Sequence, residues 1–445
     1  MLRQKTQRRL CRAIFFAGCL TPTLLIMGLA MAHQLTRGVA LDRLAARLGV
    51  RLGCERLETP EPGSYLLTGV AILSAETDHE VARCDRLLAT RRNGEWRLST
   101  GVVSIGSAGS GETRAVLARL TEERLDVGLF AEATRVRVYD DEPTGDPALE
   151  LEHCQFELRE NATTAPALAS SESTSSSVAL AAPETTGLRM SLTAAGGFHL
   201  SVERNRQLSP PATRLTLVTG TVGVPARLLA GCAPAAANLG HDARFHGKLE
   251  ATLPSGAHGE AWGELTGGFG EVSAQRLLPG GLGADWQSAS LHFDQLAWRG
   301  ERLQRAWGRL DARNGMLDKG LVYGAYQHLK CQPTSTLVTE WDATPDESRV
   351  AFDRVALEFD LDAMGLVLVG HCGDRGASGA IAHALVSRGE AALITQPIER
   401  PLPLASVVHA LSPPSQEMLP ATPVAGEIAR RLPLGERGEE RRLWR

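Results

Sequence analysis

Apolar and polar residues alternate with a period of two over much of the chain, the spacing at which successive side chains fall on opposite faces of a strand. Phe198, Leu200 and Val202 alternate in this way, as do Leu215 with Leu217, Phe245 with Leu249, Ala251 and Leu253, and Leu291 with Phe293. Residues 65–73 read as one apolar strand. Residues 83–90 and 96–98 read as two more, joined through Asn93-Gly94, a dipeptide suited to a two-residue hairpin turn. A further strand is predicted at 102–105, and Val136 and Val138 mark one at 135–139. Over 149–158 the apolar phase shifts between Leu151 and Cys154, which predicts a β-bulge. The cleanest hairpin comes late. Val355, Leu357, Phe359 and Leu361 alternate with charged partners, Asp362-Ala363-Met364-Gly365 turns, and Leu366 and Leu368 resume the pattern.

Helical spacing is rarer. It predicts short helices at 34–48, at 113–125 (Val116, Leu117, Leu120 and Leu125 on one face) and at 316–329. Two more, at 401–411 and 423–432, each begin with a proline, which suits the first helical turn. Residues 160–187 are rich in Ser, Thr and Ala and hold too little apolar surface to offset the entropy of ordering, so a linker or long loop is expected there. The expected fold class is mainly β with added helices (α+β), an N-terminal transmembrane helix being followed by a curved, largely antiparallel sheet. Its expected divisions are a basic tail (1–12), an anchor (13–32), a β-rich region with one helix (33–159), the low-complexity segment (160–187), a second β-rich region (188–400), and terminal helices with a charged tail (401–445).

The anchor is the strongest single signal. Residues 13–32 form twenty positions without a charge, and at about 1.5 Å rise each they reach roughly 30 Å, the thickness of a bilayer's hydrocarbon core. Arg3, Lys5, Arg8, Arg9 and Arg12 precede it with no acid among them, a flank that stays cytoplasmic and sends the following chain across. Ala30-Met31-Ala32 also has the form of a signal-peptide cleavage site, but the apolar run exceeds the roughly 7–15 residues usual in a cleaved signal. The expectation is a single-pass membrane protein whose body lies outside the cytoplasm.

Charge and motifs narrow the chemistry. Removing the five N-terminal cations from the chain's net −4 leaves −9 on the rest, which disfavours nucleic acid as a partner. Six of the eight cysteines, Cys54, Cys84, Cys154, Cys232, Cys331 and Cys372, lie in the body. They are read as buried thiols or as disulfide partners of unspecified connectivity, and no two stand at CxxC spacing. Gly106-Ser107-Ala108-Gly109-Ser110-Gly111-Glu112-Thr113 has the glycines of a phosphate-binding loop, but Glu112 stands where the phosphate-binding lysine is needed. Gly370-His371-Cys372-Gly373-Asp374 and Glu152-His153-Cys154 gather reactive side chains, but are read as a turn and as ordinary strand residues. No catalytic, cofactor-binding or metal-ligating residue is nominated, and no enzymatic activity is expected.

The first hundred residues resemble the start of AsmA-like envelope proteins. The resemblance is carried by the basic N-terminus, the anchor and short helix, Arg47-Leu48-Gly49-Val50-Arg51-Leu52, Pro60-Glu61-Pro62-Gly63, Leu67-Thr68-Gly69-Val70-Ala71-Ile72 and Ala82-Arg83-Cys84-Asp85-Arg86-Leu87. It implies a non-enzymatic, inner-membrane-anchored protein that binds or guides lipid along an apolar sheet face during envelope assembly. A membrane-tethered scaffold that recruits envelope or secretion proteins is the alternative. Alternation alone is the same whether the apolar face is an open trough or is filled by helices.

Overall fold

The structure, a computed structural model, describes residues 50–74, 80–92, 95–106, 128–139, 145–161, 187–205, 211–230, 232–233, 236, 239–254, 260–273, 283–343, 349–373, 379–398, 401–411 and 423–433. The expected tail, anchor and first helix (1–48) lie outside these residues, as does the glycine-rich loop beyond Gly106. Among the described residues no helix is long and apolar enough to cross a membrane.

The alternating segments form strands. In chain order these are β1 (Val50–Gly53), β2 (Arg56–Glu58), β3 (Ser64–Ser74), β4 (Glu80–Arg92), β5 (Glu95–Ile105), β6 (Leu129–Val138), β7 (Leu149–Asn161), β8 (Gly187–Ala194), β9 (Phe198–Asn205) and β10 (Ala212–Val218). There follow β11 (Val224–Pro225), β12 (Arg244–Pro254), β13 (Trp262–Gly270), β14 (Ala284–Arg299), β15 (Arg302–Asp318), helix α1 (Lys319–Leu329), β16 (Gln332–Pro333) and α2 (Ser335–Ala343). The chain ends with β17 (Arg349–Asp362), β18 (Gly365–Gly370), β19 (Ala384–Arg388), β20 (Ala391–Thr395), α3 (Leu404–Ala410) and α4 (Pro423–Arg431).

Most strands pair antiparallel with their sequence neighbours, so the molecule is one long ladder. It runs from β1 and β2 on the edge of β3, through β10, β12 and β15, to β17 and its partners β18 and β19. The expected hairpins are present. Arg92 pairs with Glu95 across Asn93-Gly94, and Asp362 pairs with Gly365 across Ala363-Met364. The low-complexity segment does not interrupt the sheet. Asn161 pairs with Gly187, so the chain leaves and re-enters at adjacent ladder positions and the two β-rich regions share one sheet. One pairing is parallel, β5 with β6, from Trp96↔Leu129 to Ile105↔Val138. Parallel neighbours require the chain to travel back the length of a strand, usually in a dozen or more residues. That return falls on 107–127, outside the described residues together with the helix expected at 113–125.

The phase shift expected in β7 does not come from a bulge, since no residue is inserted against β6; it belongs to a row of unpaired positions. His153 has φ 51° and Gly69 of β3 has φ 62°. Between them the ladder skips a pairing at Gly69/Asp85, at Asp85-Arg86/Gly101-Val102, at Gly101/Thr134 and at Thr134/His153, while the register on either side stays the same. Strands β4 to β7 flip their alternation there. The apolar face passes from Ala82 and Cys84 to Leu87, from Leu98 and Thr100 to Val103 and Ile105, from Ala131 and Ala133 to Val136 and Val138, and from Leu149 and Leu151 to Cys154 and Phe156. These unpaired positions line up across five strands and mark a crease that runs at right angles to them. A second crease crosses Gln287, Asn314 (φ 52°) and Asp353, where Asn314 Nδ2 donates to Gln287 Oε1 at 3.2 Å.

The two halves of the ladder treat their apolar faces differently. From β12 onward that face is more fully packed, with Leu296, Leu310, Leu357, Phe359 and Leu361 half-buried against the core. Phe245, Leu249, Leu265 and Phe269 are at most 2% exposed, and Phe245, Phe269, Phe293 and Phe359 follow one another along the ladder with ring centroids 5.0, 6.2 and 5.9 Å apart. Helices α1, α3 and α4 join this core through Val322, Val407, Val408, Ala425 and Ile428. Contact between α1 and α3 is close enough that a Cβ on Gly324 would lie 2.6 Å from the Ala410 carbonyl oxygen. Helix α1 starts at Lys319 and not at Met316 as expected. Met316 and Asp318 still pair with Ala351 and Arg349, and Asp318 then caps the helix by accepting from the Gly320 amide at 2.7 Å. Helices α3 and α4 fall within the two segments with proline starts, whereas α2 and the short strands β16, β19 and β20 carry no comparable sequence signal.

Candidate functional site

From β3 to β12 the apolar face borders open space. Leu98, Val103, Ile105, Leu192, Leu200 and Leu215 are only half-buried there, in contrast to the buried Phe245, Leu249, Leu265 and Phe269. The space is a trough of about 950 Å³, at the upper end of the roughly 300–1,000 Å³ of small-molecule sites. Its walls come from both sides of the first crease, because the phase flip keeps apolar residues facing inward after each strand bends. Val224, Leu228, Leu229 and Cys232, from β11 and the segment after it, form its C-terminal end. That segment is tied back by Ala226 N donating to Ala243 O at 2.8 Å and Arg227 Nη1 to His241 O at 2.9 Å.

Few polar side chains enter the trough. The charged ones are Arg83, Glu132, Arg204 and Arg227. Arg204 Nη1 donates to Thr213 Oγ1 at 2.7 Å across the β9–β10 pair, and Thr100 Oγ1 donates to the Arg86 carbonyl oxygen at 2.7 Å. Two thiols line it. Burial pushes Cys84 upward, against the lowering effect of its hydrogen bond with Thr100, and burial likewise raises Cys154. A raised thiol stays protonated and is a poor nucleophile. The opposite face of the sheet is wet and charged. Arg135 and Arg137 pair with Glu150 at 3.1 Å, and Arg214 with Glu250 at 2.6 Å. Such exposed pairs each contribute little stability, about 0–1 kcal/mol, but they mark that face as solvent-facing.

The reactive clusters noted in the sequence are split by the fold. His371 is exposed and its Nε2 lies 3.3 Å from Glu358 Oε2, beside a second hollow of about 600 Å³ lined by Arg309, Asp311 and Arg354. Cys372 instead packs with Ala356, Ala384 and Ala392, and burial raises its pKa. Glu152 turns outward to Arg135, Cys154 turns into the trough, and His153 sits at the crease. None of the six body cysteines is in a disulfide. Cys54 is exposed, and Cys331 is buried deeply enough for its thiol to be pushed up to about 12. Among the described residues no three His, Cys, Asp or Glu side chains come together in a way that could hold a metal ion.

Sequence reasoning identified which residues are apolar and which strands carry them, but not the extent of the trough. The one usable signal was the phase shift at Leu151/Cys154. Matching shifts at Cys84/Leu87, Thr100/Val103 and Ala133/Val136 would have located the crease. Comparison of the chain with protein-family models, curated proteins and solved structures gives no match.

Proposed function

We propose that this is a non-enzymatic, membrane-tethered lipid-binding protein of AsmA-like type, whose trough takes acyl chains from the bilayer that holds residues 13–32. The observation that carries this reading is the almost wholly apolar lining of a 950 Å³ trough on an otherwise charged sheet. A methylene group needs about the 30 Å³ that a water occupies in the liquid, so the trough has room for on the order of thirty. At about 0.8 kcal/mol each, their exposure to water would cost roughly 20 kcal/mol. Passage from bilayer to trough exchanges one apolar environment for another and avoids that cost. Tethering serves this exchange by holding the trough at the membrane. With only 17 residues between Ala32 and Val50, the first strand stays close to the anchor.

The test is the lipid content of the purified full chain, measured by mass spectrometry, against a Leu200→Asp/Leu215→Asp variant that places two charges on the trough wall. Wild type is expected to carry phospholipid and the variant little or none; equal lipid in the two preparations overturns the reading. The alternative role, a scaffold for other envelope proteins, draws support from the second hollow on the outer face, which Arg309, Asp311, Arg354, Glu358 and His371 line. A partner retained by wild type and lost on Glu358→Arg/Arg354→Glu, with lipid content unchanged, would favour it.

A further inference from the structure

Building on the lipid-binding reading, we infer that the trough is a blind cup sized for one diacyl lipid, loaded from its β3 side, and not an open conduit along the sheet. Its two ends differ. At the β3 end the wall consists of Val70, 5% exposed, and Ile72, half-buried, and the chain leading from the apolar segment 13–32 joins this edge as β1, with Val50 opposite Ser74. At the other end the lining includes Leu228, Leu229 and Leu253, while Phe245 and Leu249 of β12 are 0% exposed and do not line the trough. Beyond β12 the phenylalanine row and α1, α3 and α4 occupy the same face. An acyl chain advancing along the ladder therefore meets a packed core, and close-packed interiors hold few voids larger than a water.

Length and volume together set the capacity. The eight ladder steps from β3 to β12 at about 4.8 Å each give a contour of roughly 40 Å, longer than the roughly 30 Å hydrocarbon core that spans both leaflets of a bilayer. Length alone would admit several chains. Volume is the tighter limit, since the room for on the order of thirty methylenes matches the two tails of a single ordinary phospholipid. A cup of fixed depth must also limit tail length, each methylene left outside lowering affinity about fourfold.

The experiment uses the full chain in an amphipathic polymer free of acyl chains. Phosphatidylcholines with tails from twelve to twenty-two carbons are titrated in turn, and bound lipid is counted by native mass spectrometry. The expected result is saturation at one lipid per chain, with affinity rising with tail length and then reaching a ceiling. Leu228→Trp, which fills the closed end, lowers that ceiling, and Leu228→Ala, which deepens it, raises it. The paired variants shift the limit in opposite directions, so a general folding defect cannot imitate the result. Two or more lipids per chain, or affinity that keeps rising through twenty-two carbons in all three proteins, overturns the cup but leaves lipid binding intact. Absence of any bound lipid in the wild type overturns both.

Discussion

Two leucines on the same apolar face give the sharpest test of a half-open, half-packed sheet. Leu265 of β13 is 1% exposed, whereas Leu200 of β9 is half-buried and faces the trough. Truncating Leu265 to alanine removes buried carbons and leaves a cavity among rigid neighbours, including its cross-strand partner Leu249, at a cost of about 3 kcal/mol within the roughly 2–5 observed for such changes. The same truncation at Leu200 only widens an existing space. Three carbons at about 0.8 kcal/mol each, discounted by half for exposure, give about 1 kcal/mol. The assay is urea-dependent proteolysis of the full chain in nanodiscs, comparing transition midpoints at equal slope. A threefold ratio between the two losses is expected. Equal losses would refute the division of the face, because they would mean that Leu200 is as enclosed as Leu265.

Three further outcomes follow from the same structure. Asp318→Ala removes the side-chain acceptor at the start of α1 and is expected to cost about 1 kcal/mol, read as a lower urea midpoint that Asp318→Asn largely restores. In maleimide labelling at pH 7.5 mapped by peptide mass spectrometry, Cys54 is expected to react within minutes and Cys331, buried and pushed up to about 12, only on unfolding; rapid Cys331 labelling would contradict the packing of its neighbourhood. His328 stacks on His409 with ring centroids 5.1 Å apart, and burial first, then the charges of His409 and Lys330, lowers its pKa from 6.5. Above pH 6.5 neither folded nor unfolded chain protonates it. Below that the unfolded chain takes a proton the folded one resists, so stability falls with pH until the folded pKa is reached. The thermal midpoint is expected to drop between pH 7.5 and 5.5, and less so in His328→Gln; an unchanged drop in the variant would remove His328 as its source.

Much of the strand layout was legible because alternation is a local property. The residues of β9, β10, β12, β17 and β18, and the turns at Asn93-Gly94 and Asp362–Gly365, could be read directly, since each half-buried strand shows its two faces within a few residues. The start of α1 was misplaced by three residues because Met316, Leu317 and Asp318 satisfy a helical spacing equally well, and only pairing with β17 draws them into a strand. Helix α2 and the short strands β16, β19 and β20 escaped notice because they owe their form to neighbours remote in sequence, such as Gln332 opposite Thr395.

What the sequence determined by itself is that the chain builds a largely antiparallel, one-faced sheet and carries an uncharged, bilayer-length segment near its start. Composition and periodicity suffice for that, as each depends only on residues close along the chain. Only the tertiary structure decided that the unpaired positions at Gly69, Gly101, Thr134 and His153 align into one crease, and that helices fill the apolar face beyond β12 but leave it open before. Burial depends on which distant segments come to rest on a face, and the alternating pattern of Leu200 is no different from that of Leu265 until those segments are in place.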